Sequence, residues 1–388
     1  MSSPSRYNFL DFFRGLIVVV MLEGHVLREL LQPSAQSTEA FRIHELFHGI
    51  TAPAFLFSAG FTFAIATQRK WEEMITLSGG FLRRIWRAIL VIVVGYLLHI
   101  PFLSLTKTLA EASTGQWREF LAFNVLQCIG VSLLFLRLLV FTVRKERVFL
   151  IVASLIGLAI VYATPLVWMK EVTDALPRGI AMAINGLDGS YFPIFPYSAF
   201  LFGGAVLSWQ FLRSAQVGRE AVFMTRLFLG GMGLIVVGFV FDALPFQTYG
   251  QYDFWTTSPN FFWMKFGTLA MIMSSLWFLE GRVRHDEKRD IWMPRWLTIL
   301  GVESFFVYVL HLIVLYGWAG NPSFNLSAWW ALQLSVTESV AVFVGLTIAM
   351  WIAAAAWRYL KREHTVLWRG ILWWMGITFG IHFLKSPY

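Results

Sequence analysis

Asp11, Arg14 and His25 lie in a single apolar run near the start of the chain. At 100° per residue they stand at about 0°, 300° and 320° around a helix, sharing one face roughly 60° wide with Val18 and Leu22. Ionisable groups inside an apolar helix are costly enough to mark function. The next apolar run opens on His44 and His48, four residues apart and so on one side of a helix. That spacing also suits a metal, but no third ligand accompanies the pair and no metal is expected. His311 lies in a later run. Imidazole exchanges its proton near neutrality, so His25, His44 and His311 are the candidates for taking a proton from an amine or hydroxyl nucleophile. His48, His99 and His382 are read as interfacial histidines. Arg83, Arg84 and Arg87 crowd the start of the third run, where guanidinium groups either mark the cytosolic side of the membrane or suit the phosphates of a polyanion.

The elements that position these groups follow from composition. Of 388 residues, 57% are hydrophobic, 17% aromatic and 14% charged, with mean hydropathy +0.63. Apolar runs of membrane-spanning length recur from end to end, covering about 8–27, 44–67, 85–104, 120–142, 148–167, 195–212, 227–245, 261–280, 296–318, 331–357 and 368–384. The expected fold is therefore all-α: a polytopic membrane bundle of about 10–11 helices, read as one domain over residues 1–388. With a cytosolic N-terminus, the cytosolic segments hold twenty Lys and Arg residues against seven outside, Arg6 and the residues within spans left uncounted. The net charge of +8 then reflects topology and anionic lipid head groups, and nucleic acid is not implied.

The first run carries Asp11, Arg14 and Glu23 and lacks a small-residue cleavage site, which reads as an uncleaved span. Cys128 is the sole cysteine, which excludes an intrachain disulfide and a cysteine metal cluster. The longer outer connections carry Asp188, Tyr191, Tyr249 and Asp253, residues that can floor a polar-substrate site or form an interfacial belt. Gly49, Pro53, Ser58 and Gly60 permit a broken helix in the second run, which suits a substrate tunnel. Glu303 and Glu338 fall in late runs, where a carboxylate can orient an imidazole, belong to a proton path or pair between helices.

Leu10-Asp11-Phe12-Phe13-Arg14-Gly15 and Phe57-Ser58-Ala59-Gly60-Phe61 resemble signatures of the transmembrane acyltransferase superfamily. Further stretches resemble, within it, the heparan-alpha-glucosaminide N-acetyltransferase catalytic-domain family and its bacterial relatives. They are Phe81-Leu82-Arg83-Arg84, Leu126-Gln127-Cys128-Ile129-Gly130, Phe195-Pro196-Tyr197 with Gly203-Gly204, and Leu300-Gly301 with Tyr308-Val309-Leu310-His311. By this resemblance His44 matches the catalytic histidine of the heparan branch. His25 matches the essential histidine of the polysaccharide O-acyltransferase branch. The heparan branch typically carries Asn at the positions of His25 and His48, so this chain combines features of both.

The resemblance implies an acyltransferase, most simply an acetyltransferase, in a bacterial plasma membrane. Acetyl-CoA is the implied donor substrate, with its polyanionic end at Arg83, Arg84 and Arg87 and its arm threading between the first, second and ninth spans. Arg14 helps hold that donor, and Asp11, one turn away, keeps the cation satisfied. A sugar or glycan amine or hydroxyl on the outer face is the implied acceptor, deprotonated by His25 or His44, with or without a transient acyl-histidine. The alternative is a proton-coupled secondary transporter, although no repeat symmetry is visible. Nothing in the sequence opposes assembly as a homodimer.

Overall fold

The computed structural model describes residues 7–244, 252–284 and 294–386. Arg6 and Tyr249 lie outside the described residues, as do Lys288 and Arg289, two of the twenty cations counted as cytosolic. The long helices are α1 (Asn8–Leu30), α2 (Glu39–His48), α3 (Thr51–Gln68), α4 (Gly79–Leu97), α5 (Val125–Val143), α6 (Glu146–Val167) and α7 (Ile194–Gln216). They continue as α8 (Glu220–Asp242), α9 (Pro259–Arg284), α10 (Arg295–Val302), α11 (Ser304–Leu315), α12 (Val336–Glu363) and α13 (Thr365–Lys385). The described residues of the eleven apolar runs are mostly helical, and the expected all-α fold is the observed one. The described residues contain no named strand, only an isolated bridge between Leu31 and Leu334. Among the described residues six helical stretches can cross a membrane by length and composition, or seven if α10 and α11 form one span.

Two expected spans are interrupted. The second breaks after His48, where the Thr51 hydroxyl donates to the His48 carbonyl at 2.6 Å and ends α2. The ninth was expected as one span, but α10 and α11 meet at 84° across Glu303, whose φ −99° and ψ 23° leave the helical range. That carboxylate is nearly buried and receives both of its 2.7 Å hydrogen bonds from Lys361 Nζ of α12. A buried charge is held by its pair, and here the pair secures the bend.

The chain forms two compact units: residues 1–51, 98–120 and 283–388, and residues 52–97 and 121–282. In the first, α1 packs on α10, α11 and α12, and α12 carries α13. Gly15 and Gly301 set the distance between α1 and α10. A Cβ on Gly15 would stand 2.0 Å from the Leu297 carbonyl oxygen, and one on Gly301 would stand 1.9 Å from that of Asp11. Small residues permit this approach where lipid gives helices little hydrophobic reason to associate. Ser335 and Glu338 form a capping box that starts α12. Glu338 is thus exposed at a helix start and serves its cap, not a buried proton path.

In the second unit α4 packs on α5, α6 on α7, and α7 on α5 and α8. The α3–α7 crossing repeats the glycine device: a Cβ on Gly60 would lie 1.9 Å from the Leu201 carbonyl oxygen, and one on Gly204 2.1 Å from that of Phe57. The Ser208 hydroxyl adds a 2.9 Å bond to the Phe61 carbonyl.

Candidate functional site: a buried imidazole cluster

Four histidines converge in the first unit. His25 projects from α1, His44 and His48 from successive turns of α2, and His311 from α11. The His25 ring centre lies 5.1 Å from that of His311 and 6.1 Å from that of His48, and the His44 and His48 rings stack at 6.1 Å. Local sequence explains the positions. The Thr38 hydroxyl caps α2 by accepting from the Phe41 amide at 3.3 Å, which fixes where the helix starts and so which side carries the histidine pair. Gly24 lets the pair approach α1, because a Cβ there would fall 1.9 Å from His48 Nδ1.

Hydrogen bonds then assign the ring protons. His44 Nε2 lies 2.8 Å from Glu23 Oε2. An ionised carboxylate only accepts, so Nε2 carries hydrogen in neutral His44, and Nδ1 faces Glu45 Oε1 at 3.6 Å, beyond hydrogen-bond distance. That Nδ1 is buried without a hydrogen-bond partner among the described residues. His311 Nδ1 lies 3.0 Å from the Val307 carbonyl, which likewise can only accept, leaving Nε2 unprotonated. His311 Nε2 is also buried without a partner. His25 Nδ1 lies 2.8 Å from the Tyr316 hydroxyl, which can donate or accept. Arg28 binds Glu45 Oε2 through Nε and Nη2 beside the cluster. Among the described residues no group of three or more His, Cys, Asp or Glu is arranged to hold a metal ion. Such an arrangement can pass a proton: His44, His48 and His311 each have a buried ring nitrogen with no hydrogen-bond partner among the described residues, and His44 is backed by a carboxylate.

The other end of α1 carries a separate arrangement. Arg14 Nη2 donates to Ser304 Oγ at 2.6 Å, and Asp11 is buried where Gly301 touches its backbone. Helical rise puts Arg14 about 16 Å and Asp11 about 21 Å along the axis from His25. Asp11 is therefore not brought to the imidazoles and belongs to the Arg14 end. Glu303 does not orient His311 either, since it is engaged by Lys361.

Arg83, Arg84 and Arg87 do come together, in the second unit. With Lys70, Glu73 and Gly80 they line a cavity of about 200 Å³ at the start of α4.

His48, Tyr316 and Glu23 were not singled out by the sequence as site residues. The spacing of His48 from His44 was a usable signal for the first. Glu23 stands two residues before His25 and faces away from it on an ideal helix, and Tyr316 lies beyond the regular part of α11, so neither had one. Among known families, the one described as heparan-alpha-glucosaminide N-acetyltransferase, catalytic, matches residues 6–238. The match covers α1 to most of α8, including His25, His44, His48 and the three arginines, but not His311 or Tyr316. No curated protein matches the chain.

Proposed function

This chain belongs to the heparan-alpha-glucosaminide N-acetyltransferase catalytic family, and we propose that it moves an acetyl group from cytosolic acetyl-CoA to an amine or hydroxyl of a sugar or glycan acceptor at the outer face of the membrane. The observation that carries this reading is the carboxylate-backed His44 inside the imidazole cluster.

In the proposed reaction the acceptor nitrogen or oxygen attacks the thioester carbonyl carbon while His44 Nδ1 takes its proton. The carbon–sulfur bond breaks, and the imidazolium returns that proton to the departing thiolate. Glu23 stabilises the imidazolium and fixes its orientation, as the carboxylate of a hydrolase triad does. His25, held by Tyr316, is suited to donate to the oxygen that gains charge in the transition state. Arg83, Arg84 and Arg87 supply cations for the donor's phosphates.

The test is to incubate reconstituted protein with labelled acetyl-CoA and an envelope extract. Wild type should label a glycan, and His44→Ala should lower the rate by about 10²- to 10⁴-fold. Equal labelling by both would remove His44 from the chemistry. Coenzyme-independent flux of an intact solute would favour transport instead.

A further inference from the structure

The arginine cavity of the second unit already contains an anion of its own. Glu73 lies 3.1 Å from Lys70 Nζ and 3.9 Å from Arg83 Nη2. A Cβ on Gly80 would stand 1.2 Å from Glu73 Oε1, so the carboxylate rests directly over the first turn of α4. Amide N–H groups at a helix start lack helical acceptors and attract negative charge. Glu73 therefore occupies a position that an oxyanion of a ligand would also favour.

A second, independent feature lies behind the same wall. Helices α4 and α5 run antiparallel, with Gly95 against Gln127, Gly130 against Ala88 and Ile92, and the Phe81 ring 5.0 Å from that of Phe141. This register brings Arg137 of α5 alongside Arg84 and Arg87, close enough for its charge to interact with both. The Arg137 guanidinium lies over the Phe63 ring, 5.9 Å from its centroid. Its Nε and Nη1 are buried and have no hydrogen-bond partner among the described residues. Arg84 Nη1 donates to the thioether sulfur of Met74, a weak acceptor, at 2.7 Å. A desolvated guanidinium with two idle donors and two cationic neighbours is unfavourable until an anion joins it.

We propose that these two features are the halves of one polyanion site. One phosphate displaces the Glu73 carboxylate from the start of α4, and a second is bound by Arg84, Arg87 and the idle N–H groups of Arg137. Glu73 acts as a resident counter-ion that the ligand must expel, and Arg137 is the deep anchor. The ligand class is a compound with at least two phosphate groups. On the reading that the donor is acetyl-CoA, these are its diphosphate and its ribose monophosphate. A phospholipid head group presents the same chemistry.

Calorimetric titration of the full chain in nanodiscs of neutral lipid separates the cases, using coenzyme A and inorganic pyrophosphate as probes. Glu73→Gln should tighten both by about three- to tenfold, and Arg137→Gln should weaken both by about tenfold or more, with Arg137→Lys between. Unchanged binding in a folded Arg137→Gln protein, or no tightening in Glu73→Gln, overturns the site. If Arg137→Gln fails to fold, Glu73→Gln alone decides. Coenzyme A binding that ignores both residues leaves the donor reading standing without this site. Arg137-dependent pyrophosphate binding with no coenzyme A binding does the reverse. Loss of both probes' binding in nanodiscs containing phosphatidic acid, with Glu73→Gln responding to that lipid more strongly than wild type and Arg137→Gln not responding, assigns the site to a head group and overturns the donor assignment.

Discussion

At the scale of single residues, the arrangement rests on which nitrogen of each imidazole holds hydrogen. The bond to Glu23 leaves His44 Nδ1 unprotonated, so Glu23→Gln, which can donate as well as accept, removes both the tautomer preference and the stabilising charge. The expected outcome is a fall in kcat of about 10- to 100-fold at nearly constant KM for acetyl-CoA, measured in steady state. Tyr316→Phe should lower kcat by a smaller factor, about tenfold, through loss of its hydrogen bond with His25. Gly24→Ala is predicted to act as strongly as a direct histidine change, because its methyl group would displace the His48 ring. Thermal denaturation distinguishes that effect from unfolding: activity should fall well before the melting temperature does. His25, His44 and His311 were legible in the sequence because imidazoles in apolar runs are conspicuous. Glu23 and Tyr316 were not, since their roles depend on helices far apart in the chain meeting at one place.

At the scale of elements, the glycines and the bent ninth span decide how closely the helices approach. Gly301→Val should destabilise the first unit by about 1–3 kcal/mol, because the new side chain meets the Asp11 carbonyl with no room to turn away. Lys361→Met leaves the Glu303 carboxylate buried without its cation and should cost about 2–3 kcal/mol, less than a fully enclosed pair since Lys361 keeps some exposure. Lys361→Met combined with Glu303→Leu should recover much of that loss, which denaturant titration in mild detergent would reveal. Helix positions were readable from apolar runs alone. The break at Glu303 was not, because the apolar pattern of residues 296–318 continues across it and the residue at the break pairs with a lysine some sixty positions later. Glu338 was misjudged for a related reason: its run was drawn to begin at residue 331, whereas Ser335 caps a helix that starts at Val336 and so exposes the carboxylate.

For the whole molecule, composition was enough to give an all-α membrane bundle, and ordered short motifs were enough to give its family. The structure adds a reason for the motifs. Gly15 meets the Leu300-Gly301 helix, and Phe57–Phe61 meets Gly204, so these paired signatures are the two sides of close helix crossings. Function is a further step, because glycine crossings serve many membrane proteins and only the imidazole cluster speaks to chemistry. The most direct measurement is single-turnover acetyl transfer from labelled acetyl-CoA by purified protein carrying His25→Gln, His44→Gln or His48→Gln. Loss of transfer by at least about 100-fold in His44→Gln, with acetyl-CoA still bound, is the predicted result. Transfer at the wild-type rate by a folded His44→Gln protein would contradict it.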